Sequence, residues 1–355
     1  MRQPLSSDVL RSEQCDAAGA HGDAITHLAT GARKRDVEAM TRLGKRLLVG
    51  DRAPCLPKDG AGLIADASAR GGAEAAAVLA VLYAVGASRG HGVAAALEQL
   101  ILAAERGWES AQAQLRVLAA GPADADPAGE PETAAGGTGA WRLLGQRVDL
   151  AAWQTPPAAV DLSDSPQIRS YPKFVSPRAC RWFIERSRGR LSRALVYEAL
   201  SREVMARPTR TNTAAVFNMT DTDLVFVFTQ QRMAACLGVS LRQFEAATVL
   251  HYDEGEEITD HYDFIDPNIP DYAQEIAQQG ERIVTFLVYL NDDYAGGETA
   301  FPRLGIEHKG QCGEGLFFVN AFDGRADTRT LHAGRTPAGG EKWIISQFVR
   351  NRALL

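Results

Sequence analysis

Cysteine is scarce in this 355-residue sequence, and its positions argue against two kinds of structure. The five cysteines, Cys15, Cys55, Cys180, Cys236 and Cys312, are odd in number, widely scattered and without any CxxC spacing. A zinc site is typically built from closely spaced pairs, and a disulfide framework needs an even, dense set. We therefore predict reduced thiols, no disulfide framework and no structural zinc site.

Long hydrophobic runs are lacking as well. No apolar stretch reaches the length of a membrane span, and residues 1–23 lack the apolar core of a signal peptide. With 45% hydrophobic residues the composition is that of an ordinary globular protein, long enough for two domains with a core each. We expect a cytoplasmic protein with no membrane partner.

Basic residues are missing from one stretch of a chain whose net charge is −6. From Asp253 to Glu281 the sequence has ten Asp or Glu and no Lys or Arg. No basic stripe is present, so a nucleic-acid partner is not expected. The negative stretch favours a basic peptide or protein partner, and an acidic loop kept only for solubility is the alternative.

An internal repeat occupies the N-terminal third. Three blocks, 38–50, 74–86 and 109–121, align without gaps over thirteen residues at offsets of 36 and 35. Ala, Leu and Val recur in them at helical spacing, and helix pairs of this length stack into α-solenoids. We predict a helical repeat domain over 23–121 after a flexible tail at 1–22. Such an array either presents a surface to a protein partner or only braces a neighbouring domain.

Composition changes sharply after the repeats. Residues 122–140 are rich in Pro, Gly and Ala, carry acidic residues and no basic one, and show no periodicity, which predicts a linker. Residues 141–164 contain spaced Trp, Leu and Val and are interpreted as a connecting segment. A second domain is placed at 165–352.

Candidate metal ligands lie in this second domain. Side chains two residues apart on a strand share a face, so His261 and Asp263 can converge on one ion while Tyr262 points away. His332 would complete a set of two histidines and one carboxylate. Such a set leaves three positions of an octahedral iron(II) open for O2 and a bidentate co-substrate. The sequence predicts an iron site.

Lys342 is the candidate anion anchor. It begins a run, 342–348, that is typical of a mostly buried strand, where an unpaired ammonium is costly. We expect it to meet a carboxylate, and the distal carboxylate of 2-oxoglutarate is the natural candidate. A solvated surface lysine is the alternative.

Taken together and in order, these motifs resemble the catalytic domain of the prolyl 4-hydroxylase branch of the iron(II)/2-oxoglutarate dioxygenases, over roughly 165–350. The matching positions are Tyr252, Gly255, the strand 282–290, the turn 296–302, His332-Ala333-Gly334 and Lys342-Trp343. The resemblance implies that His261, Asp263 and His332 bind iron, and that Lys342, Tyr252 and Thr285 bind 2-oxoglutarate. Ile258 and Phe348 depart from the family pattern, and Ile258 puts the inherited substrate pocket in doubt.

A second His-Tyr-Asp triplet, His251-Tyr252-Asp253, competes for the role of metal site. Strand parity does not separate the two triplets. Context does, because Tyr252 and Gly255 stand at the family's offsets only from the later triplet, and 253–257 is typical of a turn between strands. The prediction is therefore His261 and Asp263.

The resemblance also sets expectations for fold and activity. It implies a jelly roll, or double-stranded β-helix, with supporting helices, joined to an N-terminal α-solenoid similar to Sel1-like repeats. The implied activity is hydroxylation of an unactivated C–H, with succinate and CO2 as co-products and ascorbate as reductant. A prolyl residue of a protein or peptide, recruited by the repeats, is the favoured target. A free amino acid or metabolite is one alternative, and a non-catalytic interaction protein is another. Arg210 and Arg335 are the candidate substrate contacts.

Overall fold

The computed structural model describes residues 4–87, 90–123, 138–194, 196–198, 203–205, 209–266 and 269–354. The chain forms two compact units. The first contains the described residues of 1–119, 129–150 and 218–228, and the second contains those of 120–128, 151–217 and 229–355. Among the described residues, no helix combines the length and the apolar character that crossing a bilayer requires.

Short amphipathic helices form the first unit. The three sequence blocks correspond to every second helix, so that each repeat is a helix pair. Asp36 caps the start of the helix that contains the first block by accepting a hydrogen bond from Ala39 N, and Gly50 ends that helix in the left-handed conformation. The helices are α1 (Ser7–Ala17), α2 (His21–Arg33), α3 (Val37–Val49), α4 (Pro57–Ala69), α5 (Ala73–Ala84), α6 (Val93–Glu105), α7 (Glu109–Ala119) and α8 (Thr138–Gln146).

Glycines let α3 and α4 approach closely. A Cβ added to Gly60 would lie 2.7 Å from the carbonyl oxygen of Gly44. A Cβ added to Gly62, two residues further along α4, would have no atom within 4 Å. The pair Gly44 and Gly60 therefore sets the separation of the two helices in this repeat.

Two domain predictions need correction here. The segment 1–22 is not a tail, because α1 is capped by Ser6 and Val9 is fully buried in a cluster with Leu28 and Leu43. Its sequence shows too few apolar positions to reveal this helix. The predicted linker also ends early, since α8 begins at Thr138, and the rest of that linker from 124 to 137 lies outside the described residues.

The described strands of the second unit form two main antiparallel sheets and three two-stranded pairs, β4-β5, β10-β17 and β14-β15. The larger has the order β1-β2-β13-β9-β18-β7-β6-β3, and the smaller has the order β12-β11-β16-β8. The strands are β1 (Val160–Asp164), β2 (Gln167–Tyr171), β3 (Ser192–Arg193), β4 (Val196–Glu198), β5 (Glu203–Met205), β6 (Thr213–Phe217), β7 (Ala247–Tyr252), β8 (Ile258–His261), β9 (Arg282–Tyr289), β10 (Ala295–Gly296), β11 (Thr299–Phe301), β12 (Ile306–His308), β13 (Gly315–Val319), β14 (Ala321–Phe322), β15 (Arg325–Ala326), β16 (His332–Gly334), β17 (Pro337–Ala338) and β18 (Lys342–Arg350).

One core joins the two sheets into the predicted jelly roll. Phe301 of the smaller sheet packs edge-on against Phe318 of the larger, with ring centroids 5.1 Å apart. Leu287, Tyr289 and Ile344 complete the same buried cluster. The remaining helices are α9 (Leu150–Gln154), α10 (Pro177–Arg188), α11 (Leu224–Leu237) and α12 (Pro270–Gln279).

The start of the barrel lies earlier than the predicted residue 165. Strand β1, within the predicted connecting segment, pairs with β2, and β2 pairs with β13 in the larger sheet. Residues 160–164 therefore belong to the jelly roll. Its polar sequence VDLSD gave no strand signal because this edge strand is largely solvent-exposed.

Candidate metal centre

Two neighbouring strands of the smaller sheet bring His261 and His332 together. His261 ends β8 and His332 begins β16, and the two residues are direct register partners. Asp263 follows β8 and is only 8% exposed. Its two carboxylate oxygens lie 3.5 Å from His261 Nε2 and 3.3 Å from His332 Nε2. The three predicted ligands thus converge, with one donor atom from each within 4.8 Å of the others.

Backbone carbonyls fix the orientation of both imidazole rings. His261 Nδ1 lies 2.8 Å from Thr259 O, and His332 Nδ1 lies 2.9 Å from Thr330 O. A carbonyl oxygen only accepts, so each Nδ1 carries a proton and each Nε2 is left to bind a metal. Metal bonds of about 2.1 Å at right angles separate donor atoms by roughly 3.0 Å. The observed separations fit that requirement.

The surroundings of Asp263 favour its charged form. Burial raises its pKa, but the adjacent imidazoles of His332 and His261 outweigh burial and bring the pKa well below the usual value. Burial also lowers the pKa of His332, and the facing Asp263 raises it above the ordinary value. A bound cation would compete with a proton for His332 Nε2.

Thr285 and Asn320 support this carboxylate from the larger sheet. Thr285 Oγ1 donates to Asp263 Oδ2 at 2.7 Å, and Asn320 Nδ2 donates to Thr285 Oγ1 at 2.8 Å. Sequence reasoning missed Asn320, whose only signal is a polar residue directly after the apolar strand β13. The structure also directs the Thr285 hydroxyl to Asp263, whereas the sequence interpretation directed it to 2-oxoglutarate.

The competing triplet has a different environment. Both ring nitrogens of His251 already have partners, Thr213 Oγ1 at 3.0 Å and Glu341 Oε2 at 2.9 Å. Its ring also packs on Trp343, with centroids 4.3 Å apart. Asp253 is 72% exposed in its side chain. His251, Asp253 and Glu256 lie near one another, but no nitrogen of this histidine is left to bind a metal.

Lys342 is buried beside this centre. It is 2% exposed, stands opposite Tyr252 across the β18–β7 pair, and donates from Nζ to Gly297 O at 2.7 Å. Burial lowers its pKa to about 8, and Glu298 acts weakly in the opposite direction. Within the described part of the chain, no carboxylate lies within ion-pair distance of Nζ. This buried ammonium therefore suits an anionic ligand.

A single cavity of about 610 Å³ connects the candidate ligands with Lys342. Its lining residues include Tyr252, Thr299, Ile344, Arg210, Tyr262 and Phe264. The cavity is large enough for a small dicarboxylate and part of a second molecule.

Comparisons with known proteins agree with this geometry. The family model described as the 2OG-Fe(II) oxygenase superfamily matches residues 247–350. Probable prolyl 4-hydroxylase 9 of Arabidopsis thaliana is 27% identical over 209 residues, covering 54% of this chain and 71% of the relative. Prolyl 4-hydroxylase subunit alpha-1 of Rattus norvegicus is 28% identical over 198 residues, but the match spans only 37% of its length. The C-terminal domain is a 2OG-Fe(II) oxygenase domain.

Solved structures give weaker similarities. The viral collagen prolyl hydroxylase of Paramecium Bursaria Chlorella virus-1 is 24% identical, with 52% of this chain and 95% of that chain covered and a TM-score of 0.41. A Sel1 repeat protein from Oxalobacter formigenes is 18% identical, with 38% and 53% covered and a TM-score of 0.27. The family model, the sequence relatives and the paired helices, and not these two structures, indicate a prolyl 4-hydroxylase-like 2-oxoglutarate-dependent dioxygenase with N-terminal helical repeats.

The two predicted substrate contacts of the oxygenase domain differ in position. Arg210 lines the cavity, bridges to Ile258 of β8 and donates from Nε to Asn212 Oδ1 at 3.2 Å. Arg335 is not part of the cavity lining, and its guanidinium lies 3.8 Å from Asp260 Oδ1. Of the two, only Arg210 is placed where it can touch a molecule inside the cavity.

Some acidic side chains of the stretch 253–281 accept hydrogen bonds from other residues of the oxygenase domain. Glu275 accepts from Arg350 Nη2 at 2.6 Å, and Glu281 accepts from Ile265 N at 2.9 Å. The ion pair of Glu275 with Arg350 reduces the negative field that the sequence alone indicated for this stretch.

Proposed function

We propose that this oxygenase hydroxylates a prolyl residue of a protein or peptide, with succinate and CO2 as co-products. The observation that carries the proposal is the convergence of His261, Asp263 and His332 beside the buried ammonium of Lys342. The printed names of the sequence relatives, which are prolyl 4-hydroxylases, support the choice of a prolyl target.

In this proposal the three converging side chains hold iron(II). When bound, the metal together with 2-oxoglutarate would supply the activation of O2 that C–H hydroxylation requires. The chain's own part is positioning. Thr259 and Thr330 carbonyls keep each Nε2 directed at the metal, and Thr285 orients the carboxylate of Asp263.

Lys342 is proposed to bind the distal carboxylate of 2-oxoglutarate. An ammonium that is buried without a carboxylate partner gains a charge-assisted hydrogen bond when the co-substrate enters. Tyr252, opposite Lys342 and lining the same cavity, is proposed to contact the co-substrate. Thr285 acts one step away, through Asp263. Ascorbate is proposed as the reductant that sustains turnover, which predicts a larger number of turnovers per enzyme when it is added.

The test uses purified protein with iron(II), 2-oxoglutarate and a proline-rich peptide. The proposal expects equal amounts of succinate and of peptide carrying one added oxygen, with the oxygen on proline by tandem mass spectrometry. Succinate formation with free proline and none with peptides would favour the metabolite hydroxylase. Complete absence of succinate under every condition would favour the non-catalytic protein, and it would overturn the proposal.

A basic substrate recruited by the repeats is the finer part of the proposal. Asp260, which lines the cavity and has a side chain that is 46% exposed, would attract Lys or Arg beside the target proline. Equal turnover of neutral and Lys-rich peptides, insensitive to salt, would refute the electrostatic part. Competition by excess isolated target protein, but not by its short peptide, would support recruitment outside the cavity.

A further inference from the structure

A tight hairpin lies between β13 and β16, the strand that begins at His332. It consists of β14 and β15, with Phe322 directly opposite Arg325. Asp323 and Gly324 form its two-residue turn with φ values of 49° and 73°, the positive pair that matches the twist of the strands. Phe322 is 80% exposed, the highest value among the large hydrophobic side chains of the described residues.

Both ends of this hairpin are tied to the candidate metal centre. On one side Asn320 bonds Thr285, which itself bonds the candidate carboxylate ligand. On the other side Asp327 N donates to Asn320 O at 2.8 Å, and Asp327 O accepts from Thr330 Oγ1 at 2.7 Å. The carbonyl of Thr330 fixes the ring of His332. The position of the tip is therefore set relative to the metal centre.

Arg303 links the segment after the hairpin to two aromatic residues of the cavity. Tyr262 and Phe264 line the cavity with ring centroids 4.6 Å apart. Arg303 lies over Tyr262, its guanidinium carbon 5.7 Å from the ring centroid, and donates to Thr328 O at 3.0 Å, two residues beyond β15. We call Tyr262, Phe264, Arg303 and Phe322 the rim. Aromatic and arginine side chains are the residue types that dominate peptide-binding hot spots.

We propose that the rim docks the polypeptide on one side of the residue to be hydroxylated, with Phe322 as its outer contact. This inference rests on the proposed function and names a specificity determinant for it. Phe322 lies two strand residues beyond Asn320, roughly 7 Å further along the chain. A free amino acid bound at the metal does not extend that far, whereas an extended peptide does. Aromatic surfaces also recognise extended proline-rich segments.

The test measures binding of two fluorescein-labelled proline-rich peptides, a short one and one several times longer, by fluorescence anisotropy under argon with iron(II) and 2-oxoglutarate present. Phe322→Ala is expected to weaken the Kd of the long peptide about tenfold and to change that of the short peptide less than twofold, by analogy with aromatic interface residues. Phe322→Tyr is expected to restore the wild-type Kd. The matched control is Val216→Ala, which trims another exposed hydrophobic side chain of the same unit.

Equal long-peptide Kd values for wild type and Phe322→Ala would overturn the proposal, as would an equal loss for the short and long peptides. Failure of wild type to bind either peptide would also overturn it. Succinate formation by wild type without peptide is measured in parallel. If succinate forms and any of these outcomes is seen, the docking proposal is wrong. If no succinate forms, the proposed function is wrong.

Discussion

Replacement of Lys342 by methionine has two opposite expected effects, one on binding and one on stability. The side chain is buried and has no carboxylate partner among the described residues, and its pKa falls from 10.5 to about 8. That fall corresponds to about 3 kcal/mol of penalty for the charged form in the folded protein. Loss of the hydrogen bond to Gly297 O costs about 1 kcal/mol. Without 2-oxoglutarate, Lys342→Met is therefore expected to be more stable by about 2 kcal/mol.

Binding of 2-oxoglutarate is expected to fall sharply in the same variant. Breaking a buried charge pair by removing one partner costs about 3–5 kcal/mol, which raises the Kd by about a hundredfold to several thousandfold. Anaerobic calorimetric titration measures the Kd, and thermal unfolding without ligand measures the stability. Lys309→Met is the matched control, because Lys309 also donates to a carbonyl, that of Tyr294, but lies outside the cavity lining. Wild-type affinity in Lys342→Met would refute the anchor role.

The same pKa predicts a pH dependence. The folded pKa of Lys342 lies below the value of 10.5 expected for the unfolded chain. Its penalty is therefore complete below about pH 8 and is relieved as the pH rises towards 10.5. The stability difference between Lys342→Met and wild type should narrow across that window. The affinity of wild type for 2-oxoglutarate should decline there, because the ammonium loses its charge. An affinity for 2-oxoglutarate that stays constant between about pH 8 and pH 10.5 would contradict the reasoning.

Two further substitutions test the support of the site and the packing of the repeats. Thr285→Val removes the hydroxyl that donates to Asp263 and should raise the iron(II) Kd about 10–100-fold, measured by anaerobic titration; an unchanged Kd would remove Thr285 from its positioning role. Gly60→Ala places a Cβ 2.7 Å from Gly44 O and should lower the Tm. Gly62→Ala in the same helix has open space for its Cβ and should raise the Tm, because the gain in helix propensity stabilises the fold by about 1 kcal/mol. Equal shifts for the two would show that α3 and α4 are not held at that separation.

Residue type and spacing gave His261, Asp263 and His332 as the predicted metal ligands, and the structure places one donor atom of each within 4.8 Å of the others. Strand parity does not explain how His261 and Asp263 converge, because β8 ends at His261 and Asp263 lies in the bend after it. His332 was predicted as the third ligand from its residue type and Lys342 as an anion anchor from its apolar run; the resemblance implied the same roles, and both residues line the same cavity. The jelly roll followed from the same resemblance.

The support of the site was not predictable in the same way. Thr285 reaches Asp263 across 22 residues of sequence, and Asn320 reaches Thr285 across 35. Such contacts depend on which strands become neighbours, and a single polar residue in an apolar strand does not reveal its partner. Helix α1 was missed for a related reason, since its stability comes from the burial of Val9 against α2 and α3 and not from its own pattern.

Anaerobic equilibrium dialysis with iron(II) tests the central claim most directly. Wild type is compared with His261→Ala, His332→Ala and His251→Ala. The account predicts one bound iron per chain in wild type and in the His251 variant, and loss of that site in the other two, because only their Nε2 atoms face Asp263. Wild-type iron affinity in both His261→Ala and His332→Ala, or its loss in His251→Ala alone, would contradict it.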